Sequence, residues 1–278
     1  MTIILLAALL FIGAIAAGLL GSITGLGGGV VLIPLLSIVF KVDIHYAIGT
    51  SLISVIATSS GAAAAYVKEG FSNIRIGMFL EVATTFGAVI GAFVAIYTQP
   101  YLIAVVFGIV LLFTVVSSFA MKYDIAPPAN SSTLAVFLRL SSSYPIPGGE
   151  EKYNVTNVAA GFGMMVIAGI VSGLLGIGSG ALKVIAMDKI MRIPFIVSTT
   201  TSNFMIGVTA AASAGLYLNR GYIDPGLSFP VVLGVLLGAF IGSKILVKAR
   251  TKVLRLVFAI VIAILGIEMI YNGLTHQI

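Results

Sequence analysis

Gly25-Leu26-Gly27-Gly28-Gly29 decides how the rest of the chain is read, because it comes back. At a spacing of 151 residues the same place holds Gly176-Ile177-Gly178-Ser179-Gly180. The register then continues without a gap. Thr50-Ser51 falls on Thr201-Ser202, Tyr66 on Tyr217, Gly70 on Gly221, Gly87-Ala88 on Gly238-Ala239 and Ile90-Gly91 on Ile241-Gly242. Residues 25–91 hold 13 identities in 67 positions. Their clustering on Gly and on Thr-Ser, more than their number, marks two copies of one unit in a chain so rich in small apolar residues.

Around each glycine cluster the plan is the same. Residues 3–23 are almost continuously apolar and long enough to span a bilayer. Each glycine costs about 1 kcal/mol in a helix interior, so the cluster breaks that helix. Val30–Phe40, 11 residues with Pro34 inside, is too short at 1.5 Å per residue to cross a hydrocarbon core of about 30 Å. The pair reads as a hairpin with one short arm. Spans are expected next at 45–67, 74–97 and 101–121, with Gln99-Pro100 as the turn between the last two. The second copy has a long arm at 155–175, a polar short arm at Ala181–Met191 carrying Lys183, Asp188 and Lys189, and spans at 195–218, 228–247 and 253–273. Between them lies one polar connection with Pro127-Pro128, Asn130-Ser131-Ser132, Pro147-Gly148-Gly149 and Glu150-Glu151-Lys152. That is linker chemistry; within it Leu134–Leu140 reads as a short helix on the membrane surface. The division is therefore a first repeat unit at 1–121, a cytoplasmic linker at 122–154 and a second unit at 155–278.

Composition sets the class. The chain has 278 residues, 59% hydrophobic and 9% charged, and its mean hydropathy is +1.18. Soluble domains carry about 25% charged residues, so this is an integral membrane protein. Spanning β-barrels alternate apolar and polar positions; these runs are apolar on all sides, so the expected class is all-α, a polytopic bundle. Cys and Trp are absent. There is no disulfide or thiolate site, no cofactor or metal is expected, and Tyr and Phe supply any interfacial belt, with Tyr66 and Tyr217 read as anchors at span ends. The net charge of +6 follows the cytoplasmic bias of Lys and Arg rather than nucleic-acid binding. Residues 1–20 have no basic start, so a cleavable signal peptide is not expected.

Charge also orients the units. The turn at 68–75 holds Lys68 and Arg75, and 244–255 holds Lys244, Lys248, Arg250, Lys252 and Arg255. Placing these, the linker and 189–192 in the cytoplasm leaves Lys41 and Arg220 outside. The equivalent turns 68–75 and 219–225 then fall on opposite sides. The two units are expected to be inverted about an axis in the membrane plane, with both termini outside the cell.

Inverted repeats with broken helices are a transporter pattern in which the breaks meet near the midplane and hold the substrate. The glycines free backbone N–H groups and allow close approach, and helix N-termini favour anions. A small oxyanion is therefore the expected ligand. The candidate binding residues are Gly25, Gly27, Gly28, Gly29, Gly176, Gly178, Ser179 and Gly180 at the breaks, Thr50, Ser51, Thr201, Ser202 and Asn203 as uncharged donors, and Lys183 as a cation three residues past Gly180. Glycine patterns also serve plain helix packing, and Ser or Thr in a spanning helix often bonds its own backbone. Intramembrane carboxylates are functional candidates by default, so Glu81 and Glu268 are marked for ion coupling. Their repeat partners, Val232 and Ser117, are uncharged. His45 reads as an outer-edge residue beside Asp43.

Gly21-x-x-x-Gly25-x-Gly27-Gly28-Gly29-x-x-x-x-Pro34-x-Leu36, followed by Ala47-Ile48-Gly49-Thr50-Ser51-Leu52, resembles the sulfite exporter TauE/SafE family. Gly176–Gly180 and Thr201-Ser202-Asn203 resemble its second half. The resemblance implies a bacterial or archaeal plasma-membrane permease that moves sulfite, sulfonates, sulfoacetate or similar anions, usually outward. The second unit departs from the first: Ile185 stands where Pro34 does, Ser179 replaces a glycine, and Lys183 is basic.

The expected mechanism is alternating access, one unit rocking against the other with the anion between the hairpin tips. An inside-negative potential favours outward movement of a monovalent anion by about 2.3 kcal/mol per 100 mV, so an exporter needs no coupling ion. The alternative is a proton- or sodium-coupled importer of the same anions. A membrane-embedded enzyme would need converging His, Asp or Cys groups; both His lie near span ends and there is no Cys.

Overall fold

The computed structural model describes residues 3–24, 28–68, 70–120, 131–146, 148–248 and 251–277. Gly25 and Gly27, and the centre of the basic turn at 249–250, lie outside the described residues.

The described chain is almost all helix. The first long arm α1 (Ile3–Thr24) is followed by a short arm α2 (Gly29–Pro34), then by α3 (Ile44–Lys68), α4 (Ile74–Tyr97) and α5 (Pro100–Ala120). A short helix α6 (Thr133–Phe137) and a hairpin of β1 (Ser142–Ile146) and β2 (Gly149–Tyr153) follow. Then come α7 (Val158–Leu175), a second short arm α8 (Gly180–Ile185), α9 (Phe195–Asn219), α10 (Pro225–Lys248) and α11 (Thr251–Leu274). Five helices among the described residues are long and apolar enough to cross a membrane. Large apolar side chains cover their outer faces, among them Val82, Phe86 and Phe93 on α4 and Phe229 and Phe240 on α10. Water would not tolerate that surface; lipid does. The molecule is an all-α polytopic membrane protein.

Local structure repeats at the 151-residue interval down to single hydrogen bonds. Both short arms end in a π-helical turn, Leu35–Val39 and Ala186–Ile190. Each is closed by Phe40 N to Leu35 O (3.3 Å) or Met191 N to Ala186 O (3.0 Å). Lys41 and Arg192 then both take positive φ (52° and 57°), and so do Gly70 and Gly221 (78° and 76°). Asn73 and Asp224 cap α4 and α10 alike, accepting from Ile76 N (3.0 Å) and Leu227 N (3.1 Å).

The packing is exchanged between the copies. α1 packs on α10 and α7 on α4, while α3 pairs with α9 and α5 with α11. Glycines set the closest of these crossings. A Cβ on Gly87 would lie 2.2 Å from Val166 O, and one on Gly238 2.1 Å from Ile15 O. These are the same contact 151 residues apart. Gly169 against Thr84 O (2.2 Å) and Gly18 against Val235 O (2.3 Å) form a second such pair. Backbone therefore touches backbone wherever a long arm of one copy crosses the fourth helix of the other.

Two sets of contacts mark the two ends of α4. At its start, Asn73 Nδ2 donates to Leu140 O (3.1 Å) and to the Tyr153 hydroxyl (2.6 Å), and Arg75 donates to Arg139 O (2.8 Å). Asn157 Nδ2 reaches Ile190 O (3.2 Å), so the linker and the base of the second hairpin share that end. At the far end, His45 Nε2 lies 3.1 Å from Ala95 O and its ring stacks 5.0 Å from Tyr222, while Arg220 donates to the Tyr97 hydroxyl. The hydrogen bond from His45 also holds the Asp43 carboxyl below its ordinary range.

Two expectations need correction. The connection at 131–155 is not a bare linker. Its antiparallel strands and α6 bury Ala135, Leu140, Tyr153 and Val155 against Ile76, Met187 and Met191. Tyr217 is not an interface anchor, because it is fully buried and its hydroxyl donates to Gly173 O (3.3 Å). Tyr66 belongs to the residues whose side chains are not described.

Gly87→Ala, or its copy Gly238→Ala, should cost about 1–3 kcal/mol by overpacking and lower the melting temperature of the detergent-solubilised protein. Gly163→Ala, where a Cβ meets nothing within 4 Å, should hold or raise it. Equal melting of the two kinds of variant would refute the close crossing.

Candidate functional site

The second hairpin tip is a place where the backbone leaves the helix. Gly176 and Gly178 have φ of 66° and 71°, a region open to glycine. Ser179 shares it at φ 44°, which costs a non-glycine residue about 1 kcal/mol or more. Its buried hydroxyl offsets that cost by donating to Ala168 O at 2.6 Å. Gly28 caps the first short arm with an ordinary φ of −64°.

The tips meet. Ser51 Oγ on α3 donates to Gly176 O at 2.9 Å, which ties the first copy to the second copy's break. A Cβ on Gly29 would stand 2.5 Å from that same Ser51 Oγ and 3.2 Å from Gly176 O. In the second copy Ser202 Oγ donates to Gly180 O (3.3 Å), and Gly180 is crowded by Ile206. Gly178 faces both Ile206 and its repeat partner Val55. The second break is thus wedged between α3 and α9, the helices that pair the two copies, and Gly29 at the start of α2 lies against α3. A crevice beside them, lined by Val30, Thr114, Ile177 and Ser179, has room for about one water at most.

The remaining hydroxyls are spent on helix contacts. Thr50 Oγ1 pairs with Ser228 Oγ on α10 (3.2 Å), and Thr201 Oγ1 accepts from Asn73 N (3.0 Å). Asn203 is half-buried one residue beyond Ser202 on α9. Glu268 lies on an exposed face of α11 and does not join the tips.

Lys183 and Glu81 come together, and sequence reasoning missed that they would. Lys183 does not snorkel: it is 0% exposed, and Nζ donates to Thr209 Oγ1 at 2.6 Å. The Thr209 hydroxyl donates in turn to Glu81 Oε1 at 2.7 Å, and Thr85 Oγ1 donates to the same oxygen at 3.2 Å. Glu81 is 5% exposed, and its other oxygen, Oε2, is buried with no partner. At the 151-residue spacing the mirror positions of Lys183 and Glu81 are Leu32 and Val232. A basic residue and an acidic residue each replace an aliphatic one, and those two complementary departures were the available signal. Asp188 and Lys189, further down the short arm, pair with each other at 3.1 Å.

An all-α bundle of apolar helices with a buried Lys183–Thr209–Glu81 chain at its centre has the character of a polytopic membrane transporter. The family model for the sulfite exporter TauE/SafE matches residues 10–269. The chain belongs to that family. It is 28% identical over 273 residues to the probable membrane transporter protein YunE of Bacillus subtilis, covering 96% of this chain and 98% of that one. It is 25% identical to the probable membrane transporter protein MJ0441 of Methanocaldococcus jannaschii, covering 96% of each. No solved structure matches the chain.

Gly29→Ala should pry the tips apart and lower the melting temperature more than Ser51→Ala does. The double variant should melt above Gly29→Ala alone, because removing Oγ clears the nearest clash. A double variant no more stable than Gly29→Ala would show that the clash is not what Gly29 avoids.

Proposed function

We propose that the chain carries a small sulfur-containing oxyanion, of the sulfite, sulfonate or sulfoacetate type, across the plasma membrane by alternating access. The observation that carries this reading is the meeting of the two tips at Ser51, Gly29 and Gly176, with the buried Lys183 on the short arm that starts at Gly180. Helix N-termini and a buried ammonium both favour an anion. The tip glycines, Ser51, Ser202 and Lys183 form the binding set, with Asn203 at its edge. The outward direction rests on the family's description as sulfite exporters. A second reading, a coupled importer of the same anions, is favoured by the buried carboxylate of Glu81.

The units, 1–121 and 155–278, are inverted in this proposal, with both termini outside. Supporting it, the Gly70 turn gathers with the linker at one end of α4, while its copy at Gly221 gathers with His45 and Tyr97 at the other. The chain has no native Cys. Ile74→Cys and its repeat mate Pro225→Cys should therefore react with a membrane-impermeant maleimide from opposite sides, and labelling of both from one side would refute the inversion.

Proteoliposomes loaded with radiolabelled sulfite should lose label faster than protein-free vesicles. Lys183→Met should slow that loss by on the order of tenfold or more, the scale of a lost charged hydrogen bond. Flux equal to that of empty vesicles, for sulfite and for sulfonates alike, would refute the reading.

A further inference from the structure

We infer that Glu81 is a proton-binding site, and that about one proton settles on its carboxylate for each monovalent anion that comes to rest against Lys183. The inference deepens the transport reading above and rests on it.

The argument is charge balance in a medium of low dielectric. Lys183 and Glu81 are both buried, bridged by the Thr209 hydroxyl at 2.6 Å and 2.7 Å. Empty, the site is neutral: one ammonium and one carboxylate. A monovalent anion added alone would leave a net negative charge inside the membrane, and a proton added alone would leave a net positive one. Either excess is costly where water is excluded. Adding both restores neutrality, since protonated Glu81 releases Lys183 to the incoming anion. The proton comes from water and forms an O–H bond at the carboxylate. No other bond breaks.

The geometry shows where that proton goes. Oε1 is held by Thr209 and Thr85. Oε2 is buried and has no partner, so it has an open position for a proton. Among the described residues, Lys183 is the charged side chain that faces Glu81. α7 and α9, which pack against α4, carry no Asp, Glu, Lys or Arg, and α3 brings His45 to the far end of α4 at Ala95, fourteen residues beyond Glu81. On α4 itself Arg75 is turned to the surface and held by Arg139 O. The mirror site holds Leu32 and Val232, so the molecule has one such pair, not two. Moved together, proton and anion carry no net charge across the membrane. Voltage then gives no drive, and outward flux runs on the anion's own gradient against any inward pull of the proton.

The test uses the purified full chain in lightly buffered detergent solution with a pH indicator. Sodium methanesulfonate is the probe, because its acid stays ionised. Adding it to the wild type should take up close to one proton per anion bound, with binding followed by thermal shift. Glu81→Gln should still bind and take up none. If that variant does not fold, Glu81→Asn, which also keeps Lys183, should bind and take up none. Binding by the wild type without proton uptake overturns the inference, as does uptake that survives in either variant or the absence of uptake with methanesulfonate and sulfite alike. Sulfite flux without proton uptake sinks the coupling and leaves the carrier reading intact. Proton uptake without sulfite flux does the reverse.

Discussion

Helices in a bilayer gain little from hiding apolar surface from one another, because lipid is as apolar as leucine. What holds this bundle together is close contact, and the closest contacts are backbone on backbone. Gly87 and Gly169 let α4 and α7 approach until a Cβ has no room, and Gly238 and Gly18 do the same for α10 and α1. Everything at the centre depends on those crossings. They fix each long arm of one copy against the other copy, and so fix where each arm ends and its break begins. The long arms are exchanged while the short arms α2 and α8 stay against α3 and α9 of their own copies, and Gly29 and Gly176 meet between them.

The tips inherit their shape from this arrangement. Ser51 reaches Gly176 O because α3 and α9 lie side by side, and Gly29 must lack a side chain because Ser51 is already there. The base of the second hairpin is further held by the linker, whose strands bury Tyr153 and Leu140 against Met187 and Met191. The first hairpin's base is held at the opposite end of α4, near His45 and Ala95. One hairpin is therefore supported by a folded cap and the other by a histidine stacked on Tyr222, although their short arms end in the same π-helical turn.

Most of the fold was legible in the sequence because membrane helices are written in length and composition. The long helices, the short arms and the second glycine break fall within a few residues of where apolar runs and glycine clusters put them. The β-hairpin was not legible, since Ser142–Ile146 and Gly149–Tyr153 are short and polar and flank a Pro-Gly-Gly that reads equally well as a loop. The burial of Tyr217 was hidden for a related reason: a tyrosine near a span end is usually an anchor, and only tertiary contact with Gly173 draws it inside. At the site, repetition pointed to the glycines and to Ser51 and Ser202. It also pointed to Thr50 and Thr201, whose hydroxyls turn out to tie α3 to α10 and α9 to the start of α4.

Repetition reports on architecture, and departures from it report on chemistry. A position that recurs in both copies is under the same constraint twice, and the shared constraint is packing, as Gly87 and Gly238 show. A position where one copy has leucine and the other a lysine is under no common packing demand that a charge could meet for free, because burying an ammonium costs far more than burying an isobutyl group. Something else must hold the lysine there. Here that is a carboxylate which is itself a departure, in a different helix of the other copy, joined through a threonine. Each of the two residues offsets the other's cost of burial, and the scaffold itself requires neither, since it carries Leu32 and Val232 in the mirror positions.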